Sequence, residues 1–486
     1  MTNDIRTEPP AQPTPQTVAA DGRPPWAALV ALLIGTFITA IDFFIVNVAL
    51  PAVQADLHTN TGDVEWLVAA YSLGVASCLL MTGRLGDRIG RRRAFTIGIA
   101  GFTAASLLCT VAPNAGVLIA GRLVQGIGTA FIMTSVLSMI SALFVGAARA
   151  RAISAYAAVL GIGAAAGQII GGLLVTSDAL GIGWRSIFAI NVPVGILALV
   201  LTPLVIPATR GAVHRLDAAG MLLMSAAVVA LVLPLIDGRD AAWAPWVWIC
   251  LGLAPVLVAL FLLQQRRLEA AGGEPMFPRM LLRAPAFRSG LLWQFVFWCG
   301  QASFYVVLTM YLQLGRGMSP LDAGLLFLGL AVPYLVAVTV APRVMARIGR
   351  RVLVIGAACN IAGFAALAAV AASGVSVLWL LIGLSLCGVA QGLSIPPSTR
   401  LVLATATPQE SGIVSGALST LQQVGGSLGV AIVGALFFGI AGSVTGARSG
   451  VGAGIANAYV ASLLVLAIIT AATVALSFLL PKGETR

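Results

Sequence analysis

The chain alternates between long apolar runs and short polar gaps. Runs of about 18 or more apolar residues can cross a bilayer as helices, and the sequence contains fourteen of them. An all-α, polytopic membrane fold is therefore expected. An even number of spans places both termini on one side of the membrane. The predicted spans are 26–50, 64–82, 94–112, 116–141, 152–175, 186–207, 217–236, 243–264, 288–312, 321–344, 352–372, 376–399, 412–440 and 455–480.

Basic residues gather in the gaps on one side of these spans. If the spans alternate in direction, 23 of the 28 Lys and Arg residues lie on the side of the termini, four lie on the other side, and Arg122 lies inside a span. Because positive residues collect in cytoplasmic loops, both termini are predicted to be cytoplasmic. Residues 1–25, rich in Pro, Thr, Gln and Ala, are expected to form a disordered tail, and 481–486 form a second cytoplasmic tail.

Composition supports a membrane protein. The sequence is 59% hydrophobic and 9% charged, whereas soluble domains carry about 25% charged residues. The net charge of +11 could suggest nucleic acid, but a nucleic-acid surface needs a polar face that displays its arginines. These arginines lie in short gaps instead, so no nucleic-acid partner is expected. The six cysteines lie in apolar runs without Cys-x-x-Cys spacing, and we expect neither disulfides nor a metal site.

One gap, 83–93, has an ordered pattern of glycines and charges, GRLGDRIGRRR. Its glycines would allow a tight turn between two helices, and an acid there can interact with a helix N-terminus. The spacing resembles the loop between helices 2 and 3 of the major facilitator superfamily, and a plain positively charged loop is the alternative. The resemblance implies a gating role for Gly83, Gly86, Asp87, Arg88, Gly90 and Arg91, and for Arg347 and Arg351 in a second copy of the pattern.

The sequence repeats itself. The stretch 88–92 recurs at 347–351, Gln125-Gly126 recurs as Gln391-Gly392, and three glycines of the fifth span recur in the thirteenth, at offsets of 259, 266 and 262 residues. These similar offsets predict two six-helix halves, 26–207 and 287–480, with a helix pair inserted within 208–286. Transporters built from such parallel halves bind substrate between them near the bilayer midplane.

Asp42 is the only acid placed deep inside a predicted span. Such an acid costs about 2.5–3.5 kcal/mol to insert, so a functional role is expected. Burial favours the neutral carboxyl, which can then take up and release a proton. The surrounding sequence, IDFFIVNVALP, resembles the first-helix signature of 14-helix drug:proton antiporters, in which this Asp is a coupling residue. A structural acid bonded to a neighbouring helix is the alternative.

Arg122 begins the sequence RLVQGIGTA, which resembles the fourth-helix motif of the same superfamily. At ~1.5 Å per residue, Arg122 lies roughly 9 Å and Asp42 roughly 12 Å below the outer ends of their helices. The two side chains are therefore predicted to face each other or one wet cavity, with Arg122 promoting release of the proton. A static ion pair is the alternative.

The fifth span carries a glycine stripe at Gly163, Gly167 and Gly171, followed by Gly172, which would let another helix pack closely. It resembles an antiporter motif ending Gly-Pro-x-x-Gly-Gly, but Gln168 replaces the proline. This departure leaves the helix kink and the direction of transport open. Ordinary packing of small residues is the alternative explanation of the glycine stripe.

The ninth span places amides and aromatic rings on one helical face. Such a face would suit a bulky lipophilic ligand, although Trp and Tyr also gather at membrane interfaces. The step Asn191-Val192-Pro193 is interpreted as a helix break without a chemical role. The candidates for lining a substrate cavity are Gln125, Gln294, Trp298, Gln301 and Tyr305.

These features predict a proton-coupled exporter of a lipophilic drug or antibiotic in a bacterial inner membrane, working by alternating access. Transport of an endogenous metabolite, siderophore or lipid is the alternative. An enzyme or channel is disfavoured because the sequence offers no nucleophile–base pair, metal cluster or ATP-binding Gly-rich loop. We expect no cofactor, and a monomer whose partners are the substrate, protons and the bilayer.

Overall fold

The computed structural model describes residues 25–480, except 60, 179–180, 209–216, 239–240, 242, 274–283, 404–410 and 446–450. All regular secondary structure within these residues is helical. The predicted tails at 1–25 and 481–486 lie outside the described residues, apart from Pro25.

Sixteen α-helices are found in the described residues. Those of the first half are α1 (Trp26–Leu57), α2 (Thr61–Ile89), α3 (Arg91–Thr110), α4 (Ala115–Leu143), α5 (Gly146–Ser177), α6 (Ser186–Ala189) and α7 (Asn191–Val205). The inserted pair is α8 (Ala218–Asp237) and α9 (Pro245–Ala270). The second half comprises α10 (Pro285–Met310), α11 (Pro320–Leu326), α12 (Leu328–Ile348), α13 (Arg351–Ser373), α14 (Leu380–Leu403), α15 (Ser411–Thr445) and α16 (Val451–Ser477).

Each of the fourteen predicted spans falls on one of these helices, or on a consecutive pair in the case of α6–α7 and α11–α12. Among the described residues, twelve helical segments are long and apolar enough to cross a membrane. The other two positions are those of α2 and α8, and the apolar part of α8 is the shorter stretch Ala218–Pro234. Fourteen spans therefore remain a prediction, while twelve meet the criteria of length and composition.

The connection at 83–93 is much shorter than the predicted loop. Helix α2 continues through Gly83 and Gly86 to Ile89, and α3 begins at Arg91. The reversal occurs at Gly90 alone, with φ 94°, a conformation that glycine adopts without steric cost. Asp87 consequently lies in the last turn of α2. The repeat shows the same design, since Gly349 (φ 58°) separates α12 from α13.

Within each half the helices pack in corresponding pairs: α1 with α5 and α2 with α4 in the first half, α10 with α15 and α12 with α14 in the second. The two halves meet where α2 packs on α15 and α5 packs on α11. At the helix ends far from Gly90, Gln313 Nε2 donates to the Val48 carbonyl (2.8 Å) and the Leu321 N–H donates to Thr176 Oγ1 (3.2 Å). These bonds hold the halves together on the side opposite Gly90.

The inserted pair lies against this junction, because α8 packs on both α2 and α15. The indole N–H of Trp66 donates to Asp237 Oδ1 at 2.6 Å, and Ser225 donates to the Ser77 carbonyl. Both hydrogen bonds attach α8 to α2. The insertion is therefore hydrogen-bonded to the first half and in van der Waals contact with the second.

Candidate functional site

Asp42 and Arg122 form an ion pair in the interior of the first half. Arg122 Nη1 lies 2.5 Å from Asp42 Oδ2, and the side chains are 1% and 0% exposed, respectively. Asp42 is on α1 and Arg122 on α4, so the pair joins two helices. In surroundings of low dielectric constant, each charge offsets part of the desolvation cost of the other.

Two neutral amides complete the environment of the carboxylate. Gln125 Nε2 donates to Asp42 Oδ1 at 3.0 Å, and Asn191 Nδ2 donates to the same oxygen at 2.7 Å. Gln125 also donates to Ser106 Oγ at 2.8 Å. Thus Gln125, predicted to line a substrate cavity, belongs to the Asp42 network. Asn191, interpreted as part of a helix break, opens α7 as a carboxylate ligand.

Arg122 has further partners besides Asp42. Its Nε donates to the Leu67 carbonyl at 3.1 Å, and its Nη1 donates to Gln125 Oε1 at 3.0 Å. Its guanidinium carbon lies 4.4 Å from the centre of the Tyr71 ring, a cation–π distance. Tyr71 is itself fixed by a 2.9 Å hydrogen bond to Thr129 Oγ1. The cation could therefore stay solvated by protein groups if Asp42 lost its charge.

Glycines set the close helix approaches around this pair. A methyl group at Gly167 would lie 2.8 Å from the Ile41 carbonyl oxygen, and one at Gly163 would lie 2.7 Å from the Ala40 Cβ. Gly171 faces Ile45 in the same way, at 2.7 Å. The stripe on α5 therefore lies directly against the segment of α1 that carries Asp42. Gly172 is different, because it faces Leu321 of the second half.

Close approach also positions α4. A methyl group at Gly126 would lie 2.1 Å from the Tyr71 carbonyl oxygen, and one at Gly74 would lie 2.4 Å from the Leu123 carbonyl oxygen. With α2 and α4 in backbone contact here, Arg122 reaches the Leu67 carbonyl of α2 and, across it, Asp42 of α1.

The candidates on α10 divide into two groups. Gln294 donates to Ser398 Oγ at 2.9 Å, and its Oε1 accepts from Trp298 Nε1 and from Gln422 Nε2, both at 3.2 Å. About three turns further along α10, Tyr305 donates to Gln391 Oε1 at 2.9 Å and packs edge-on against Phe44 of the first half. The second group lies where the two halves touch.

The predicted gating arginines lie at helix ends. Arg88, Arg347 and Arg351 are exposed, and Arg91 Nη1 donates to the Thr134 carbonyl at 3.4 Å. In contrast, Asp42 lies sixteen residues after the start of α1, roughly 24 Å along the helix. The charged turn and the buried ion pair are separate features of the fold.

Comparison with known proteins links these features to a family. The family model described as Major Facilitator Superfamily matches residues 32–430. The probable actinorhodin transporter of Streptomyces coelicolor is 34% identical over 440 residues, covering 89% of this chain and 76% of that protein. The tetracenomycin C resistance and export protein of Streptomyces glaucescens is 34% identical over 86% of this chain and 77% of its own length. The multidrug resistance protein Stp of Mycobacterium tuberculosis is 32% identical over 84% and 75%.

Solved structures show the same fold at low sequence identity. A bacterial homolog of the human lysosomal transporter Spinster, in an inward-facing and unoccupied conformation, superposes with a TM-score of 0.65 at 16% identity, covering 94% of this chain and 97% of that one. The xylose transporter XylE from E. coli, in a partially occluded inward-open conformation, gives 0.60 at 13% identity, covering 92% and 98%.

Proposed function

This chain belongs to the major facilitator superfamily and is a multi-pass membrane transporter, and from that premise we propose that it exports a lipophilic drug or antibiotic in exchange for protons. Resistance and export proteins among its relatives support the direction and the class of cargo. The proposal places it in the bacterial cytoplasmic membrane, as a monomer with both termini in the cytoplasm.

The Asp42 network is the observation that carries the proton-coupling part of this proposal. A carboxylate that is fully buried and bonded to Arg122, Gln125 and Asn191 can hold either a proton or an ion pair, but not both. Protonation removes the charge that attracts Arg122. The Leu67 carbonyl and the Tyr71 ring then remain as partners for the guanidinium. Loading of the proton thereby changes the force between α1 and α4, which couples proton binding to helix movement.

Alternating access would follow from rocking of the halves about their common junction. In this scheme the contacts of α5 with α11 close the outer side. The charged residues Asp87, Arg88 and Arg91, with Arg347 and Arg351 of the repeat, hold the cytoplasmic side when it closes. The short turns at Gly90 and at Gly349-Arg350 keep these residues at or next to the ends of their helices.

Asp42→Asn tests the proposal, since the amide keeps the size and polarity of the side chain but cannot titrate. In proteoliposomes with an imposed pH gradient, we expect uphill transport of a lipophilic probe to fall at least tenfold while probe binding stays measurable. The probes are ethidium, a cation, and an uncharged dihydroxyanthraquinone.

Asp56→Asn is the matched control. This acid is on the same helix but 49% exposed, where it accepts from Arg185 at 2.7 Å, and its loss should leave transport unchanged. Uphill transport at the wild-type rate in Asp42→Asn would refute the coupling role of Asp42.

A further inference from the structure

Three buried glutamines at or next to the contact between the halves each have at least one polar atom without a hydrogen-bond partner among the described residues. Gln301, Gln391 and Gln168 are 4%, 3% and 1% exposed. The Nε2 atoms of Gln301 and Gln391, and both polar atoms of the Gln168 side chain, make no hydrogen bond to any residue that the structure describes. Because an unsatisfied buried polar group is costly in native proteins, these groups are candidates for hydrogen bonding to a ligand.

An aromatic cluster lies beside these amides and joins the halves. The Tyr305 ring packs edge-on against Phe44, with centroids 5.3 Å apart, and nearly parallel to Phe327 at 6.0 Å. Tyr305 donates to Gln391 Oε1, which leaves the Gln391 Nε2 beside the ring cluster. Gln301 lies one turn before Tyr305 on the same face of α10.

Gln168 comes from the opposite wall. A methyl group on its neighbour Gly167 would lie 3.1 Å from the Phe44 Cβ, and its own carbonyl oxygen contacts Gly324, three residues before Phe327. Both halves therefore bring an unpartnered amide to the surroundings of the same three rings.

The Gln294 group on the same helix has less free hydrogen-bonding capacity for a ligand. Its amide nitrogen donates to Ser398, and its amide oxygen already accepts from Trp298 and Gln422. These groups stabilise the contact of α10 with α14 and α15, and they offer a ligand less hydrogen-bonding capacity than Gln301 and Gln391 do.

We propose that the Phe44–Tyr305–Phe327 cluster is the ligand-recognition site, and that it selects an uncharged, planar aromatic compound bearing carbonyl or similar acceptor oxygens. This inference rests on the proposed export function and specifies its cargo. The rings supply stacking surfaces, and the Nε2 groups of Gln301 and Gln391 donate to the acceptor oxygens. Gln168 can donate to or accept from a ligand hydroxyl.

Charge favours a neutral ligand over a cation. Among the residues that the structure describes, Asp42 is the only acid more than about two turns from a helix end. Its charge is already balanced by Arg122 at 2.5 Å. A buried cation would have no counter-charge at the ring cluster and would pay the full cost of desolvation.

The site is closed in this structure, since Phe44 of one half touches Tyr305 of the other. Separation of the halves would part these rings and expose the three amides together. The ligand would take the place of the ring contact, so that its presence opposes closure until release.

Binding to the purified wild-type and variant proteins tests the inference, with dihydroxyanthraquinone and ethidium as probes and calorimetry as the readout. Gln301→Met keeps the length of the side chain but removes the donor. We expect the wild type to bind the quinone at least tenfold more tightly than ethidium, and Gln301→Met to weaken quinone binding about tenfold with ethidium binding unchanged. Gln391→Met should have the same effect.

Gln264→Met is the matched control, because it is the same substitution at a glutamine on α9. There the Gln264 amide donates to Asp217 at 2.7 Å. It should alter neither affinity. Thermal unfolding of each variant identifies any that fail to fold, and the second glutamine variant then decides.

Equal or tighter binding of ethidium by the wild type, binding of neither probe, or unchanged quinone affinity in Gln301→Met would overturn the inference. Transport of the same probes separates this failure from that of the proposed function. Uphill export of ethidium without the quinone would leave drug export standing and remove the proposed selectivity, whereas no uphill export of any lipophilic probe would remove both.

Discussion

Arg122 and Asp42 offset part of the desolvation cost of each other's charge in the interior. Removing one partner of a buried ion pair leaves an uncompensated charge, at a cost of about 3–5 kcal/mol. We therefore expect Arg122→Leu to lower the free energy of unfolding by about that amount, and Asp42→Asn/Arg122→Leu to recover much of the loss. Thermal or denaturant unfolding in detergent gives the interaction energy from the double-mutant cycle.

The Asp56–Arg185 pair at the outer end of α1 provides the control for this cycle. Its side chains are 49% and 27% exposed, and pairs so exposed contribute about 0–1 kcal/mol. A double variant at the buried pair that is no more stable than Arg122→Leu alone would contradict mutual compensation.

The sequence singled out Asp42, Arg122 and Gln125 of the Asp42 network but not Asn191 or Ser106. Asp42 and Arg122 could be found because a charge in an apolar run is expensive, and their depth along each helix could be counted. Asn191 and Ser106 carry no such signal, since a single amide or hydroxyl in an apolar run is common. Which neighbour each one faces depends on how helices are rotated against one another. That rotation is set by packing at glycines such as Gly126, and it cannot be derived from the hydrophobic period of a single helix.

At the scale of the element, the apolar parts of the helices were predicted well, whereas their polar ends were predicted poorly. Hydropathy ends α2 at residue 82, but the helix continues to Ile89. Backbone hydrogen bonding continues beyond the apolar segment because arginine is a good helix former in water. Helix α2 ends where the chain adopts a positive φ at Gly90.

The glycine stripe of α5 permits a test at this scale. Gly167→Ala places a methyl group 2.8 Å from the Ile41 carbonyl, so that α1 and its Asp42 must shift. Overpacking of this kind costs about 1–3 kcal/mol, and we expect lower thermal stability and several-fold slower transport of the probe. Gly101→Ala on α3 is the matched control, because nothing lies within 4 Å of its added methyl group. That change should be neutral or stabilising, since alanine favours helix. Wild-type stability and transport in Gly167→Ala would show that α1 does not depend on this contact.

At the scale of the whole molecule, the two halves share a frame but differ in polar content. The glycine contacts recur, since a methyl group at Gly429 would lie against the Cys299 carbonyl of α10, as one at Gly167 would lie against the Ile41 carbonyl of α1. Gln125 and Gln391 occupy equivalent places in the repeat. In the first half this glutamine donates to Asp42, and in the second it accepts from Tyr305 and keeps a free donor. The repeat in the sequence predicts the shared frame, whereas the proposed division between a proton site and a ligand site depends on the neighbours of each glutamine.

This division predicts how the transporter uses the membrane potential. One titrating acid implies one proton per cycle, and exchange of one proton for an uncharged ligand moves one charge across the membrane. A potential alone should then drive transport, with about 2.3 kcal/mol available per 100 mV. This energy is enough for roughly fortyfold accumulation at about 1.4 kcal/mol per factor of ten.

Proteoliposomes made inside-positive by potassium influx through valinomycin, at equal pH on both sides, should accumulate dihydroxyanthraquinone as protons leave. Coupling by exchange is independent of protein orientation in the vesicle. Accumulation should vanish in Asp42→Asn and with equal potassium on both sides. No accumulation by the wild type under the potential, together with uphill transport under a pH gradient, would show that the cycle is electroneutral and that a single proton on Asp42 is not exchanged for an uncharged ligand.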